Sequence, residues 1–400
     1  MNVAEPSIDR AAAQYDSLRV AVVTETYPPE VNGVAMTMGR MVEGLIRLKH
    51  RIQLIRPRQR PDDLPTFDGP LDQVPMRGIP IPLYHGLRFG LPAAKEMVNL
   101  WSKQRPDIVH VATEGPLGWS AMQVVRQLNL PCCADFHTNF HSYSSHYGLG
   151  LLKRPIARYL KSFHNRADCT MVPTGEMLRE LAANGYRGLR VVSRGVDTRL
   201  FNPSKRAPAL RFAWGVSQEH PAVVYVGRIA PEKNLQLVFD AFDAMRMRVP
   251  RARLVLVGDG PQRAAYQKRH PEHIFAGMRI GEDLAAHYAS GDVFLFASLT
   301  ETYGNVTTEA MASGLAVVAY DYAAARQHLH DGMTGVLVPP NDHAAFIARA
   351  CALIENPAAI AAYRAGARAT AERLAWADVV DSLDTAYREI IAQRSARIHT

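Results

Sequence analysis

Four hundred residues, at about 150 per domain, point to two or three domains, and 48% apolar with 21% charged residues is globular composition, which excludes a disordered, collagen-like or coiled-coil chain. The four cysteines, Cys132, Cys133, Cys169 and Cys351, form no C-x-x-C, which excludes a disulfide scaffold and argues against a zinc or thiol-redox centre. The net charge of +8 is lopsided, with 24 Lys and Arg against 17 Asp and Glu in residues 1–195 and 22 against 21 in the rest; this suits an anionic partner (a membrane surface, a nucleic acid or a phosphorylated substrate) or simply a basic soluble domain.

Residues 1–17 lack periodicity and are expected to fray. The opening MNVAEPSIDR has no hydrophobic stretch and no run of eighteen apolar residues follows, so neither a signal peptide nor a spanning helix is expected. The reduced cytosol is the expected compartment. LRVAVVT (Leu18–Thr24) reads as a buried parallel strand, broken by the turn residues Tyr27–Gly33. Met38, Met41, Val42, Leu45 and Leu48 then recur at helical spacing, and Arg51–Pro57 returns to strand. Further strands are expected at Asp107–Glu114, Pro131–His137, Cys169–Thr174 and Leu189–Asp197. Asn202–Pro208 is polar with two prolines and reads as part of an interdomain connection. Strands resume at Ala222–Arg228, Arg253–Gly260, His273–Gly277, Asp292–Ser298, Leu315–Asp321 and Gly335–Pro340. Residues 357–400 carry no strand pattern and read as helical. Strand–helix alternation in two series implies an α/β chain of two doubly wound domains, with ligand sites at the carboxyl ends of the strands facing a shared cleft.

Four segments carry chemistry. Glu301 and Glu309 stand in ETYGNVTTE; with 17 Glu in the chain, about 0.7 such pairs arise by chance, so their setting matters more than their spacing. Glu301 falls in a strand-to-helix loop and Glu309 in the first turns of the helix, where Gly304 lets free N–H groups approach an anion closely. Taken alone, Glu309 is equally a solvated residue near its own helix start. Arg228 and Lys233 in GRIAPEKN follow a strand and could clamp a diphosphate, or be two surface cations near a turn. Asn32-Gly33 opens the first helix and suits a phosphate or hydroxyl contact, though a plain connection reads the same way. Gly258-Asp259-Gly260 reads only as a turn. His137 ends a strand and is placed for a ligand, whereas His141 and His146 dress the following loop. The histidine spacing lacks an acidic or Cys partner, and D-x-D is missing from the chain, so no metal is expected.

In order, TETYPPEVNGVAMT, DFHTNF, VGRIAPEKN, LVGDGP and FLFASLTETYGNVTTEAMASGLAVVAYD resemble the retaining nucleotide-sugar glycosyltransferases of the GT-B fold, family 4, from about Leu18 to about Leu374. The resemblance implies an acceptor-side Rossmann-like domain over residues 18–200, a donor-binding one over 201–375, and a closing helix over 376–400 that crosses back to the first domain. It implies that Arg228 and Lys233 hold the donor diphosphate, Glu301 the sugar hydroxyls and Glu309 the ribose. Amides around Gly304, Asn305 and Val306 help with phosphate and sugar. Gly277, Met278 and Arg279 lie where such enzymes hold the base, Gly33 approaches phosphate and acceptor, and His137 the donor sugar. The implied activity is metal-independent transfer of a hexose, most of all mannose, from GDP-mannose or a UDP-hexose to a lipid or glycan acceptor. No cofactor and no nucleic acid is implied, and an anionic membrane surface is a further possible partner. A sugar-nucleotide epimerase of the same fold, or a non-catalytic sugar-nucleotide-binding subunit, are the alternatives. One departure stands out: many relatives carry a Gly pair where this chain has Tyr322-Ala323-Ala324.

Overall fold

The computed structural model describes residues 16–60, 62–80, 88–137, 153–217 and 219–398; His141 and His146 lie outside them. The first sheet contains β1 (Arg19–Val23), β2 (Arg51–Pro57), β3 (Thr66–Asp68) and β4 (Leu71–Met76). After the antiparallel pair β5 (Gly78–Pro80) and β6 (Arg88–Gly90), it continues with β7 (Ile108–Val111), β8 (Cys132–Asp135), β9 (Cys169–Val172) and β10 (Leu189–Val191). Its order is β10-β9-β8-β7-β1-β2-β4-β3, parallel except for β3 on β4. The second sheet holds β11 (Ala222–Val226), β12 (Arg253–Val257), β13 (Ile274–Gly277), β14 (Val293–Phe296), β15 (Ala316–Tyr320) and β16 (Gly335–Val338) in the order β13-β12-β11-β14-β15-β16.

The central strands β1, β11, β12, β14 and β15 are nearly unbroken apolar runs, as suits strands buried on both faces. Val20 pairs with Ile52 on one side and Ile108 on the other, and all three side chains are buried. In both sheets the order reverses beside the first strand, at β1 between β2 and β7 and at β11 between β12 and β14. Such reversals open a crevice at the carboxyl ends of the strands. The loops after β1, β11 and β14 hold most of the residues singled out above.

The expected strands are present, but most end one to six residues early where the sequence runs into a loop, as at Val111 and Val191. Residues 58–106 hold elements the patterning did not announce: β3 to β6 are short and rich in Pro and polar residues, so they carry little periodicity. The helical tail divides into Pro357–Ala371 and Trp376–Ile398. The latter helix crosses back and packs on Gly33–Arg47, burying Val379, Val380, Leu383, Ala386, Tyr387 and Ile390 in the core of the first sheet. Gly44 makes the crossing possible, since a Cβ there would meet Val380 Cγ2 at 2.3 Å. Where the chain leaves and re-enters the first domain the two passages touch, with Val196 N–H donating to Leu374 O at 2.9 Å.

Candidate active site

After β14 the chain turns at Gly304, whose φ of +90° is a conformation that side-chain-bearing residues rarely adopt. The helix Asn305–Ala312 starts there with no side-chain cap on its first-turn N–H groups. Glu301, four residues into this loop from Ala297, is pinned twice. Its carboxylate pairs with Lys233 Nζ, and its backbone N–H donates to the Tyr322 hydroxyl at 2.7 Å. Lys233 ends the short turn Pro231–Lys233 after β11, so strand ends of β11 and β14 are joined by a charge pair that is largely buried.

The Arg228 loop is equally fixed. Tyr225 Oη donates to Arg228 O at 2.9 Å, and Ile229 N–H to Asp259 O at 2.9 Å. A Cβ on Gly258 would lie 2.0 Å from Gly227 O, so the Gly258-Asp259-Gly260 turn serves as a close-packed support for the Arg228 loop. The Arg228 guanidinium lies 3.8 Å from the buried Glu232 carboxylate and remains 35% exposed, so it can meet a ligand. Glu309 accepts a 2.9 Å hydrogen bond from Tyr288 Oη; burial pushes its carboxyl up to about 7, with that hydroxyl pulling the other way. Gly277 takes φ +79°, Met278 is exposed, and Arg279 folds back onto Ala276 O (3.0 and 2.8 Å) and Asp283 (3.0 Å).

The first domain supplies the opposite wall. Asn32 caps the helix Gly33–Arg47 by accepting from Ala35 N–H at 2.9 Å, and its amide donates to Thr26 Oγ1 at 2.7 Å. A Cβ on Gly33 would stand 3.8 Å from Asn305 Nδ2, so two helix N-termini face one another across the crevice. His137 follows β8, and its carbonyl accepts from Thr302 Oγ1 at 2.7 Å. Its ring is engaged on both sides, with Nε2 3.0 Å from Asp135 Oδ2 and Nδ1 2.9 Å from Arg194 Nη2. Burial and then the Arg194 charge lower its affinity for a proton, so it is neutral near pH 7.

The structure thus brings Lys233, Glu301, Gly304, Asn305 and Gly33 together, with the His137 carbonyl against the same loop. Two opposed helix N-termini and two cations suit a strongly anionic ligand. Sequence reasoning missed Asp135, Arg194, Thr302 and Tyr322. Asp135 was findable, because residues two apart in a strand share a face and Asp135 stands two before His137. Tyr322 lies in the departure noted above: it anchors Glu301, and Ala323 beside it adopts φ +52° without the glycine that relieves such a turn. Among the described residues His270, Glu272 and His273 offer ligand atoms within 4.8 Å of one another. Both imidazoles lie parallel to Phe239, at 4.2 and 5.6 Å between centroids, which accounts for them as packing.

Residues 31–200 match the family model described as Glycosyltransferase Family 4, and residues 220–356 the one described as Glycosyl transferases group 1. The chain is 33% identical over 392 residues to a GDP-mannose-dependent alpha-mannosyltransferase of Mycolicibacterium smegmatis, covering 95% of this chain and 100% of that protein. It is 25% identical over 401 residues to an alpha-monoglucosyldiacylglycerol synthase of Acholeplasma laidlawii, covering 96% and 100%. Among solved structures it superimposes on the sucrose-phosphate synthase of Thermosynechococcus elongatus with a TM-score of 0.78 at 20% identity, over 94% of this chain and 100% of that one. With its two facing Rossmann-like sheets of GT-B type, the chain belongs to glycosyltransferase family 4 and is a hexosyltransferase.

Proposed function

We propose that this enzyme moves mannose from GDP-mannose to a lipid or glycan acceptor with retention of the anomeric configuration and without a metal. The observation that carries the reading is the Lys233–Glu301 pair held at an uncapped helix N-terminus opposite Gly33. The diphosphate lies between Arg228, Lys233 and the N–H groups of Asn305 and Val306; Glu301 accepts from sugar hydroxyls and Glu309 from the ribose. The base rests against Gly277–Arg279. As the bond from the anomeric carbon to phosphate oxygen breaks, negative charge grows on the departing diphosphate, and these fixed donors stabilise it without reorganising. The acceptor oxygen attacks from the same face through an oxocarbenium-like state, and its proton passes to the leaving phosphate oxygen. Positioning and electrostatics supply the rate, and Glu301 and Glu309 are not an acid–base pair.

The donor sugar is favoured by the relative that uses GDP-mannose, and a lipid acceptor by the relative named as a diacylglycerol glycosyl synthase. The acceptor enters over the first domain, where an open pocket of about 410 Å³ is walled by Pro92, Glu114, Gly115, Pro116, Trp119 and Tyr159. That mixture of flat apolar faces and a carboxylate suits a sugar ring or polar headgroup. The enzyme works on the cytoplasmic side as a peripheral protein of the inner membrane face; no single helix among the described residues is long and apolar enough to cross a membrane.

Thermal-shift titration with GDP-mannose and UDP-glucose in EDTA tests the donor, because a ligand of the native state raises the melting temperature by mass action. Stabilisation by GDP-mannose, with transfer to an α-linked product surviving chelation, is the expected result. Activity lost in EDTA and restored by Mn²⁺ would overturn the metal-free mechanism, and a response to UDP-glucose alone would overturn the donor.

A further inference from the structure

A buried polar chain runs from the closing helix to the donor loop. Tyr387 Oη is 2.6 Å from His110 Nδ1, and His110 Nε2 is 3.1 Å from Asp135 Oδ2. The same carboxylate oxygen is 3.0 Å from His137 Nε2, and His137 Nδ1 is 2.9 Å from Arg194 Nη2. The chain then reaches the second domain twice, through Thr302 Oγ1 donating to the His137 carbonyl (2.7 Å) and Tyr303 Oη donating to the Arg194 carbonyl (3.0 Å). Tyr387, His110, Asp135 and Arg194 are all at least nine-tenths buried, so water does not compete for these contacts.

At His137 the partners fix where the ring proton sits. A guanidinium only donates, so His137 Nδ1 must accept, and in the neutral ring the proton sits on Nε2, facing Asp135. His110 Nδ1 is bonded to the Tyr387 hydroxyl, and its Nε2 faces the same Asp135 oxygen. Burial works to raise the Asp135 carboxyl, but the two imidazoles beside it, His110 and His137, overrule that and hold it well below the usual carboxylate range, so it stays ionised.

We propose that Asp135 is a positioning residue for hexosyl transfer: by locking the His137 ring in its Nε2–H form it seats the His137 carbonyl against Thr302 and so sets the loop that carries Glu301. The closing helix holds the far end through Tyr387 and His110. This inference rests on the reading of the Glu301 loop as the donor site. Neither Asp135 nor His110 touches substrate in this scheme; both act through the strand end.

Two measurements decide it. Long-range ¹H–¹⁵N NMR of the ¹⁵N-histidine-labelled protein should show His137 as a single Nε2–H tautomer. An Nδ1–H form, or a mixture, at His137 overturns the lock whether or not any donor is turned over. The second is a double-mutant cycle of Asp135→Asn and Thr302→Val. Each single change should lower kcat roughly tenfold, the scale of one lost charge-assisted contact, with the donor KM within about threefold. The double mutant should lose no more than about the worse single, since both changes release one contact. Losses that multiply, or an Asp135→Asn enzyme with unchanged kcat, overturn the positioning role. If Asp135→Asn does not fold, the wild-type tautomer decides. A wild-type enzyme that transfers no hexose would instead overturn the donor-site reading and leave the tautomer result standing.

Discussion

Glu309 carries its carboxyl at about 7, raised from 4.5, and this has consequences for both stability and binding. Between those values the folded protein holds a proton that the unfolded chain does not, so the group's contribution to stability is fully present below about pH 4.5 and is lost as pH rises through 7. Glu309→Gln should therefore be more stable than wild type by about 3 kcal/mol at pH 8, with the gain vanishing towards pH 4.5, as read from melting curves across that range. Ribose hydroxyls donate best to the ionised form, so nucleoside diphosphate affinity should fall below pH 7 in wild type. In Glu309→Gln it should be weaker and flat, and a wild-type affinity independent of pH would count against the ribose contact. Arg228→Ala and Lys233→Ala should each lower kcat/KM by roughly 10- to 200-fold, the equivalent of about 1.5–3 kcal/mol for one hydrogen bond to a charged group. The double mutant should lose less than the product if, as proposed, both cations serve one anion, and steady-state kinetics on the three variants measure it. The start of the Asn305 helix was legible because Gly304 punctuates a strand-to-helix pattern. The contact of Thr302 with His137 was not, since it joins residues 165 apart and depends on how two domains meet.

Helices and loops deliver these side chains, and one helix has a second use. Along Lys153–His164, Arg154, Arg158 and Lys161 are exposed at spacings of four and three, which places them on one face, while Leu160 and Phe163 are buried on the other. Near anionic lipid each such cation contributes about 1 kcal/mol, so sedimentation with anionic vesicles should be salt-sensitive and absent with neutral ones. Replacing all three by Ala should abolish it while leaving the melting temperature unchanged; equal binding to neutral vesicles would sink the idea. The apolar strands of both sheets could be read directly, because burial on two faces writes an unbroken hydrophobic run. The Gly258-Asp259-Gly260 turn shows the opposite case. Its residues look like any turn, and only the 2.0 Å approach of the Gly227 carbonyl reveals that a side chain would push the Arg228 loop aside.

The two domains are tied by a chain that passes between them twice, and the return passage ends as part of the first domain's core. Gly44→Val would drive a side chain into Val380, so it should lower the melting temperature by an amount matching about 1–3 kcal/mol of overpacking, measured by calorimetry. The presence of a final helix was legible from the strand-free tail, but the surface that receives it was not, because Gly44 carries no hydrophobic signal of its own. The crossing also sets an order of events during synthesis. Domains generally complete themselves as they emerge, the amino-terminal one first. Here the first sheet lacks Val379, Val380, Leu383 and Tyr387 until residues 376–398 have been made, and the whole second sheet lies in between. A growing chain therefore exposes the apolar side of Met38, Met41 and Leu45 for most of its translation, so the domain made first is the one finished last, and during that interval its uncovered face is a natural target for a ribosome-associated chaperone.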